Sequence, residues 1–164
     1  ALTLSGLSTR RFCFEGFLPT DKKERQVVLE RLKKETRTTV FYEAPHRLLK
    51  TLPLLIEAAG EERKVSVCRE ITKRHETVFR ATLGEAYAYY QANEPKGEIV
   101  LVLEGVSQKK LDEEQQQSWE SMSIEDHMAL YMSQGLQKKE AMKRVAADRG
   151  VTKRDIYQYL VDVK

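Results

Sequence analysis

The run Ile99-Val-Leu-Val-Leu103, held between Glu98 and Glu104, constrains this chain more than any other feature. It is continuous and apolar, without polar alternation. Such runs are typical of central strands covered on both faces, so layers must lie above and below it. Thr38-Thr-Val-Phe-Tyr42 is β-branched and aromatic and reads as a second strand. Lys64 to Arg69, Thr77 to Leu83 and the short Phe12-Cys13-Phe14, closed by Gly16, add three more. Helical stretches intervene. Lys22 to Glu35 carries Val28 and Leu32 four residues apart. Pro45 suits the first turn of a helix whose Leu48, Leu52, Leu55, Ile56 and Ala59 share one face, and Gly60 suits its cap. Pro53 should kink or split that helix. Gly84 to Asn93 reads as a further short helix. Strands alternating with helices predict a layered α/β domain over 1–105.

Beyond it the pattern changes. Residues 106–121 are polar and glutamine-rich and read as a linker with room for helical turns. Residues 122–164 predict three helices. Ser123 to Asp126 resembles a capping box, with Ile124, Met128 and Tyr131 following at helical spacing. Gly135 closes the first helix. The second runs from about Gln137 to Arg149 and ends at Gly150, and the third begins at Thr152. Ala146, Gly150 and Ile156 carry the spacing of a helix-turn-helix, a pattern that purely structural three-helix bundles share. Residues 136–164, the last being Lys164, hold eight of the 28 Lys/Arg but four of the 25 Asp/Glu, so the tail carries +4 and the rest −1. A compact basic tail favours phosphates, and Lys153 and Arg154 stand at the exposed start of the third helix. The spacing leaves DNA and RNA open.

Several function classes fall away. No apolar run approaches the length of a membrane span, and there is no secretory or transit pattern, so a cytoplasmic protein is expected. Cys13 and Cys68 sit in strand-like runs and read as reduced, buried thiols. His46, His75 and His127 are scattered, and no Cys/His cluster has metal-ligand spacing. There is no G-x-G-x-x-G and no Walker sequence. The opening Ala-Leu-Thr-Leu-Ser-Gly reads like the middle of a helix and hints at a fragment.

Three polar clusters stand beside predicted strand ends: Glu43-Ala-Pro-His-Arg47, Arg69-Glu-Ile-Thr-Lys73 with Glu76, and Pro95-Lys-Gly-Glu98. Ligands in open α/β sheets sit at carboxyl ends of strands. Each cluster alone is also consistent with solvated surface. Together with Phe12-Cys-Phe-Glu-Gly-Phe-Leu-Pro19 and Lys96-Gly-Glu-Ile-Val-Leu-Val-Leu-Glu-Gly105, they resemble the ribosomal RNA small subunit methyltransferase I family. That family lies within the tetrapyrrole-methylase-like class of S-adenosylmethionine enzymes. The resemblance covers nearly all of 1–105 in four ordered motifs. The tail around Gly150-Val-Thr-Lys-Arg-Asp-Ile-Tyr157 is similar to the family's terminal helical module.

The resemblance implies a two-domain fold with S-adenosylmethionine in the cleft between domains. The family's Asp-Ala-Gly-Thr-Pro loop and Pro-Gly-Pro turn are absent here. The chain is therefore expected to start after the first domain, which becomes a partner of this one, and to be inactive alone. The implied reaction is methyl transfer to a cytidine ribose 2′-hydroxyl of small-subunit ribosomal RNA, as RNA or assembled subunit, by a homodimer without a metal. Tyr42, Glu43, Ala44, Lys96, Gly97 and Glu98 are then the expected cofactor-facing wall. Arg47, Arg69 and Lys73, with Lys153 and Arg154 in the tail, are expected to meet RNA phosphates. Glu70 and Glu76 are candidates either for a proton acceptor, provided the site shifts their pKa, or for orienting those cations. A corrin-precursor methylase and a non-enzymatic helix-turn-helix nucleic-acid binder are the competing readings.

Overall fold

The computed structural model describes residues 1–162; Lys164, counted above with the basic tail, lies outside the described residues. The described residues form two compact units, 1–107 and 108–162.

The first unit is a mixed five-stranded sheet. Its elements in chain order are β1 (Phe12–Phe17), α1 (Lys22–Leu32), β2 (Thr38–Glu43), α2 (Pro45–Ala59), β3 (Lys64–Arg69), β4 (Thr77–Thr82), α3 (Leu83–Ala92) and β5 (Ile99–Leu103). The spatial order is β1-β2-β5-β3-β4. β1 and β2 are parallel, and β5 runs antiparallel to both of its neighbours. Ile99 therefore pairs with Glu43 on one side and Arg69 on the other. The amino end of β5 is thus held against the carboxyl ends of β2 and β3, which draws the three polar clusters to one sheet edge.

The apolar run is central because both faces of β5 are needed. On one face Phe41, Val65, Val67, Leu101 and Leu103 join Leu29, Leu48, Leu52, Leu55, Leu83 and Ala86 from α1–α3 in the main core. Each fully buried Leu contributes roughly 1.5–3 kcal/mol by leaving water. On the other face Val40, Cys68 and Val102 lie under Ala1, Leu2 and Leu7. The opening segment is not helical as expected. It forms a turn, with Ser5 N–H donating to Leu2 O at 3.3 Å, and then lends its carbonyls to the sheet. Ser66 Oγ donates to Ser5 O at 2.8 Å, and the Arg80 guanidinium donates to Leu4 O at 2.6 Å.

One expectation needs correction on physical grounds. Pro53 does not split α2, which runs through from Pro45 to Ala59. Losing one amide and crowding the preceding turn costs about 3 kcal/mol, but Leu52 and Leu55 are wholly buried and hold the helix in place. Within 106–121, read as a linker with room for helical turns, Gln108–Ser121 is one continuous helix, α4. It buries no residue. Besides the Trp119 ring stacked on His127, it is supported locally by Gln108 to Asp112 at 2.9 Å, Gln116 to Glu120 at 3.1 Å and Lys109 to Glu113 at 3.5 Å, all i, i+4 pairs that the apolar period cannot reveal.

The second unit adds α5 (Ile124–Ser133), α6 (Lys138–Asp148) and α7 (Lys153–Asp162). Met128, Ala141, Met142, Val145, Ala146 and Ile156 form its core. Between α6 and α7 the chain turns at Gly150, φ +63°, and Val151 N–H donates back to Ala146 O at 3.0 Å. That left-handed residue is where glycine is needed. α7 is capped by the reciprocal Thr152–Asp155 pair.

Candidate functional site

At the gathered sheet edge lies an open cleft of about 640 Å³, within the usual range for a small-molecule site. Tyr42, Glu43, Ala44 and Pro45 form one side, Gly97, Glu98, Ile99 and Val100 the other, and Phe17 closes one end. Of the six residues expected to face a cofactor, Tyr42, Glu43, Ala44, Gly97 and Glu98 line this cleft. Lys96 does not; its ammonium pairs with Glu94 at 3.4 Å on the exposed side of the loop.

Each wall has a local cause. Glu43 is buried, and its carboxylate is spent on structure. One oxygen accepts from Ala44 N–H at 2.8 Å and faces Arg47 Nε at 3.4 Å, and the other accepts from Thr51 Oγ1 at 2.5 Å. It anchors the start of α2, whose cap residue Ala44 has no side-chain oxygen to offer. What Glu43 gives the cleft is therefore main chain. Arg47 donates from Nη2 to Leu18 O at 2.6 Å, which ties the segment after β1 to α2. Arg47 thus braces the cleft wall through these two partners.

The opposite wall depends on a close approach. Gly97 has φ +81°, and a Cβ there would stand 2.5 Å from Glu70 Oε1. Glu70, itself at φ +51°, accepts from Glu98 N–H at 2.6 Å through its side chain and donates its own N–H to Glu98 O at 2.9 Å. The loop after β3 is thus clamped onto the Gly97-Glu98 turn. The Glu98 amide, and then Lys73, hold the Glu70 carboxyl below the usual carboxylate range. A carboxylate stabilised in its charged form is a weaker base, and Glu70 stands where it orients Lys73. Glu76 accepts from Thr72 N–H at 2.7 Å and closes the same loop, where Thr72 is left-handed at φ +65°. Lys73 is held by Glu98 at 3.0 Å and Glu70 at 3.3 Å, and these partners raise its pKa. Arg69 donates to Thr77 Oγ1 at 3.1 Å.

Sequence reasoning missed the aromatic end of the cleft. Phe14 and Phe17 meet Tyr42 edge-on, with ring centroids 4.9 and 5.8 Å apart, and all three rings are half exposed. The bulge between Phe14 and Gly16 lets both flank the Tyr42 ring. A glycine three residues before the strand-ending Pro19 was the only signal. Also missed was His127, fully buried between the rings of Trp119 and Tyr131. Its Nδ1 accepts from Arg149 Nε at 3.2 Å, while Nε2 faces Asp148 Oδ2 at 3.3 Å without a hydrogen bond. In the second unit, Lys153 and Arg154 line a shallow groove of about 590 Å³ together with Lys138, Lys139, Met142 and Tyr157. No cluster of three or more potential metal ligands occurs among the described residues. No helix of the described residues is long and apolar enough to cross a membrane.

The mixed sheet, with strand ends framing an aromatic cleft, defines an α/β domain open at the place where such sheets take ligands. The sequence profile of the Tetrapyrrole (Corrin/Porphyrin) Methylases matches residues 2–87, and the chain belongs to that family. Among its relatives is the ribosomal RNA small subunit methyltransferase I of Bacillus subtilis (strain 168), 43% identical over 96% of this chain and 53% of the relative. The enzyme of the same name from Halalkalibacterium halodurans is 47% identical over the same shares. The chain spans about half the length of these curated relatives. A solved structure, the methyltransferase CobJ, aligns at a TM-score of 0.47 and 16% identity over 65% of this chain and 46% of that one.

Proposed function

We propose that this chain forms one wall of the S-adenosylmethionine cleft of a ribosomal RNA methyltransferase, together with an RNA-contacting helical module. The reaction is transfer of a methyl group to the ribose 2′-hydroxyl of a cytidine in small-subunit ribosomal RNA, in the cytoplasm. The second wall comes from a domain preceding this one, and the working enzyme is a dimer. The observation that carries the reading is the convergence of residues 42–45 and 97–100 on one cleft. Relatives at 43–47% identity carrying the ribosomal RNA methyltransferase name support the substrate class.

The cleft fits the cofactor in size and in chemistry. Phe17 and Tyr42 offer aromatic surface to an adenine ring. When bound, the sulfonium supplies an already activated methyl group. The work left to the protein is alignment and exclusion of water. Gly97 keeps the wall close to the ligand, and the Glu70–Lys73–Glu98 clamp fixes that wall. With both carboxylates of the loop engaged, the 2′-hydroxyl proton leaves to a group outside this chain or to solvent. The helix-turn-helix character of α6 and α7 belongs to the same proposal, as does contact of Lys153 and Arg154 with RNA.

The test is methylation of small ribosomal subunits by the natural-length protein with radiolabelled S-adenosylmethionine, followed by nuclease mapping. Label on a cytidine ribose is the expected result, with loss in a Gly97→Val variant that still folds. Label on a base, or full activity in Gly97→Val, refutes the reading. Transfer to a corrin precursor but not to RNA would favour the macrocycle methylase instead.

A further inference from the structure

α6 and α7 begin alike. Lys138, Lys139 and Met142 stand at i, i+1 and i+4 on α6, and Lys153, Arg154 and Tyr157 take the same places on α7. The two first turns share one groove, so four cations surround a floor made by Met142 and the 58% exposed Tyr157 ring. None of the four cations forms an ion pair among the described residues, in contrast to Lys73 at the first unit's cleft. The acids beside them do not compete strongly. Asp155 is turned onto Thr152, accepting from its amide at 2.8 Å and its hydroxyl at 2.6 Å, and those bonds hold its carboxyl low. Glu140 does not line the groove. Gln137 supplies no side-chain cap to α6.

Cations around an exposed aromatic ring suit one chemistry in particular. Phosphodiesters satisfy the cations, and an unstacked base covers the ring. A duplex keeps its bases stacked and has no use for Tyr157. We infer that the Lys138–Lys139–Lys153–Arg154 groove is a site for unpaired RNA, with one base stacked on Tyr157 and the flanking phosphates on the four cations. The inference deepens the ribosomal RNA reading above and rests on it for the choice of RNA as the polymer.

The experiment is fluorescence anisotropy of the 164-residue chain with a labelled 12-nucleotide unstructured RNA, at several salt concentrations. Competitors are the same sequence as duplex RNA and as duplex DNA. Tyr157→Ala should weaken binding by about tenfold, the usual size of one lost base stack. Lys153→Gln with Arg154→Gln should lower the salt slope by about 0.7 per cation removed. Lys143→Gln with Arg144→Gln, on α6 but outside the groove, should leave both quantities unchanged. Far-UV circular dichroism checks that each variant folds. Tryptophan fluorescence of Trp119 checks the second unit.

Absence of binding by the unsubstituted chain overturns the groove. So does equal weakening by the Lys143/Arg144 pair, or tighter binding of either duplex. No methyl donor is present in this assay, so none of these results bears on the methyl-transfer cleft. Conversely, failed methylation with groove binding intact would refute the proposed reaction and leave the groove standing.

Discussion

Replacing Gly97 by alanine tests how the cleft wall is built. Two separate costs are expected. The first is intrinsic to the backbone: at φ +81° a Cβ meets its own following carbonyl, which costs about 1–2 kcal/mol wherever it occurs. The second is a contact. The new Cβ would lie 2.5 Å from Glu70 Oε1 and 2.6 Å from Glu70 Cδ, so that carboxylate must swing away. In moving, it gives up the Glu98 amide and Lys73. The second cost vanishes if Glu70 is already alanine. A double-mutant cycle of Gly97→Ala and Glu70→Ala should therefore show that the glycine substitution costs less in the Glu70→Ala background. Residues in direct contact typically couple by about 0.5–3 kcal/mol. The assay is equilibrium urea unfolding followed by hydrogen exchange at the β5 amides, which reports on the first unit. Equal costs of Gly97→Ala in both backgrounds would refute the close approach, and with it the clamp that holds the Gly97-Glu98 turn.

Thr51→Val keeps the side-chain shape but leaves one oxygen of the buried Glu43 carboxylate without its 2.5 Å donor. Thermal unfolding should show a loss of about 1–3 kcal/mol, and an unchanged midpoint would mean that Thr51 is not needed there. The second unit should weaken in mild acid. Burial lowers the pKa of His127 in the folded state below its ordinary 6.5, so stability is complete above that value and falls as pH drops below it. Urea midpoints followed through Trp119 fluorescence between pH 8 and pH 5 check this. His127→Phe should remove most of the slope, and an equal slope in that variant would assign the effect to another group.

Much of the first unit is legible because its residues carry strong local signals. The β-branched run at Thr38–Tyr42, Pro45 at a helix start and Gly60 at its end each specify their own conformation. α4 was not legible because its stabilising pairs are polar and local, so an apolar period has nothing to detect. The three polar clusters could be picked out as candidates, but not the jobs of their side chains. Glu43, Arg47, Glu70, Glu76 and Lys73 all have the composition of a reactive site. Some of the hydrogen bonds that spend them on structure come from partners distant in sequence, such as Leu18 for Arg47 and Glu98 for Glu70, and Glu76 is spent on the amide of Thr72 in a loop turn that has no periodicity to detect.

The sequence by itself determined the strands and helices of the sheet unit and the three helices after α4, and that Ile99–Leu103 must be covered on two sides. Those properties follow from side-chain shape and from water. Only tertiary structure decided that β5, last in the chain order of strands, slots antiparallel between β2 and β3. Strand order depends on which buried faces fit together across tens of residues, and that insertion brings Gly97 against Glu70 and opens the cleft beside Tyr42. The same holds for His127. Nothing beside it in the chain marks it for burial, and its place between Trp119 and Tyr131 exists only once α4 and α5 have packed together.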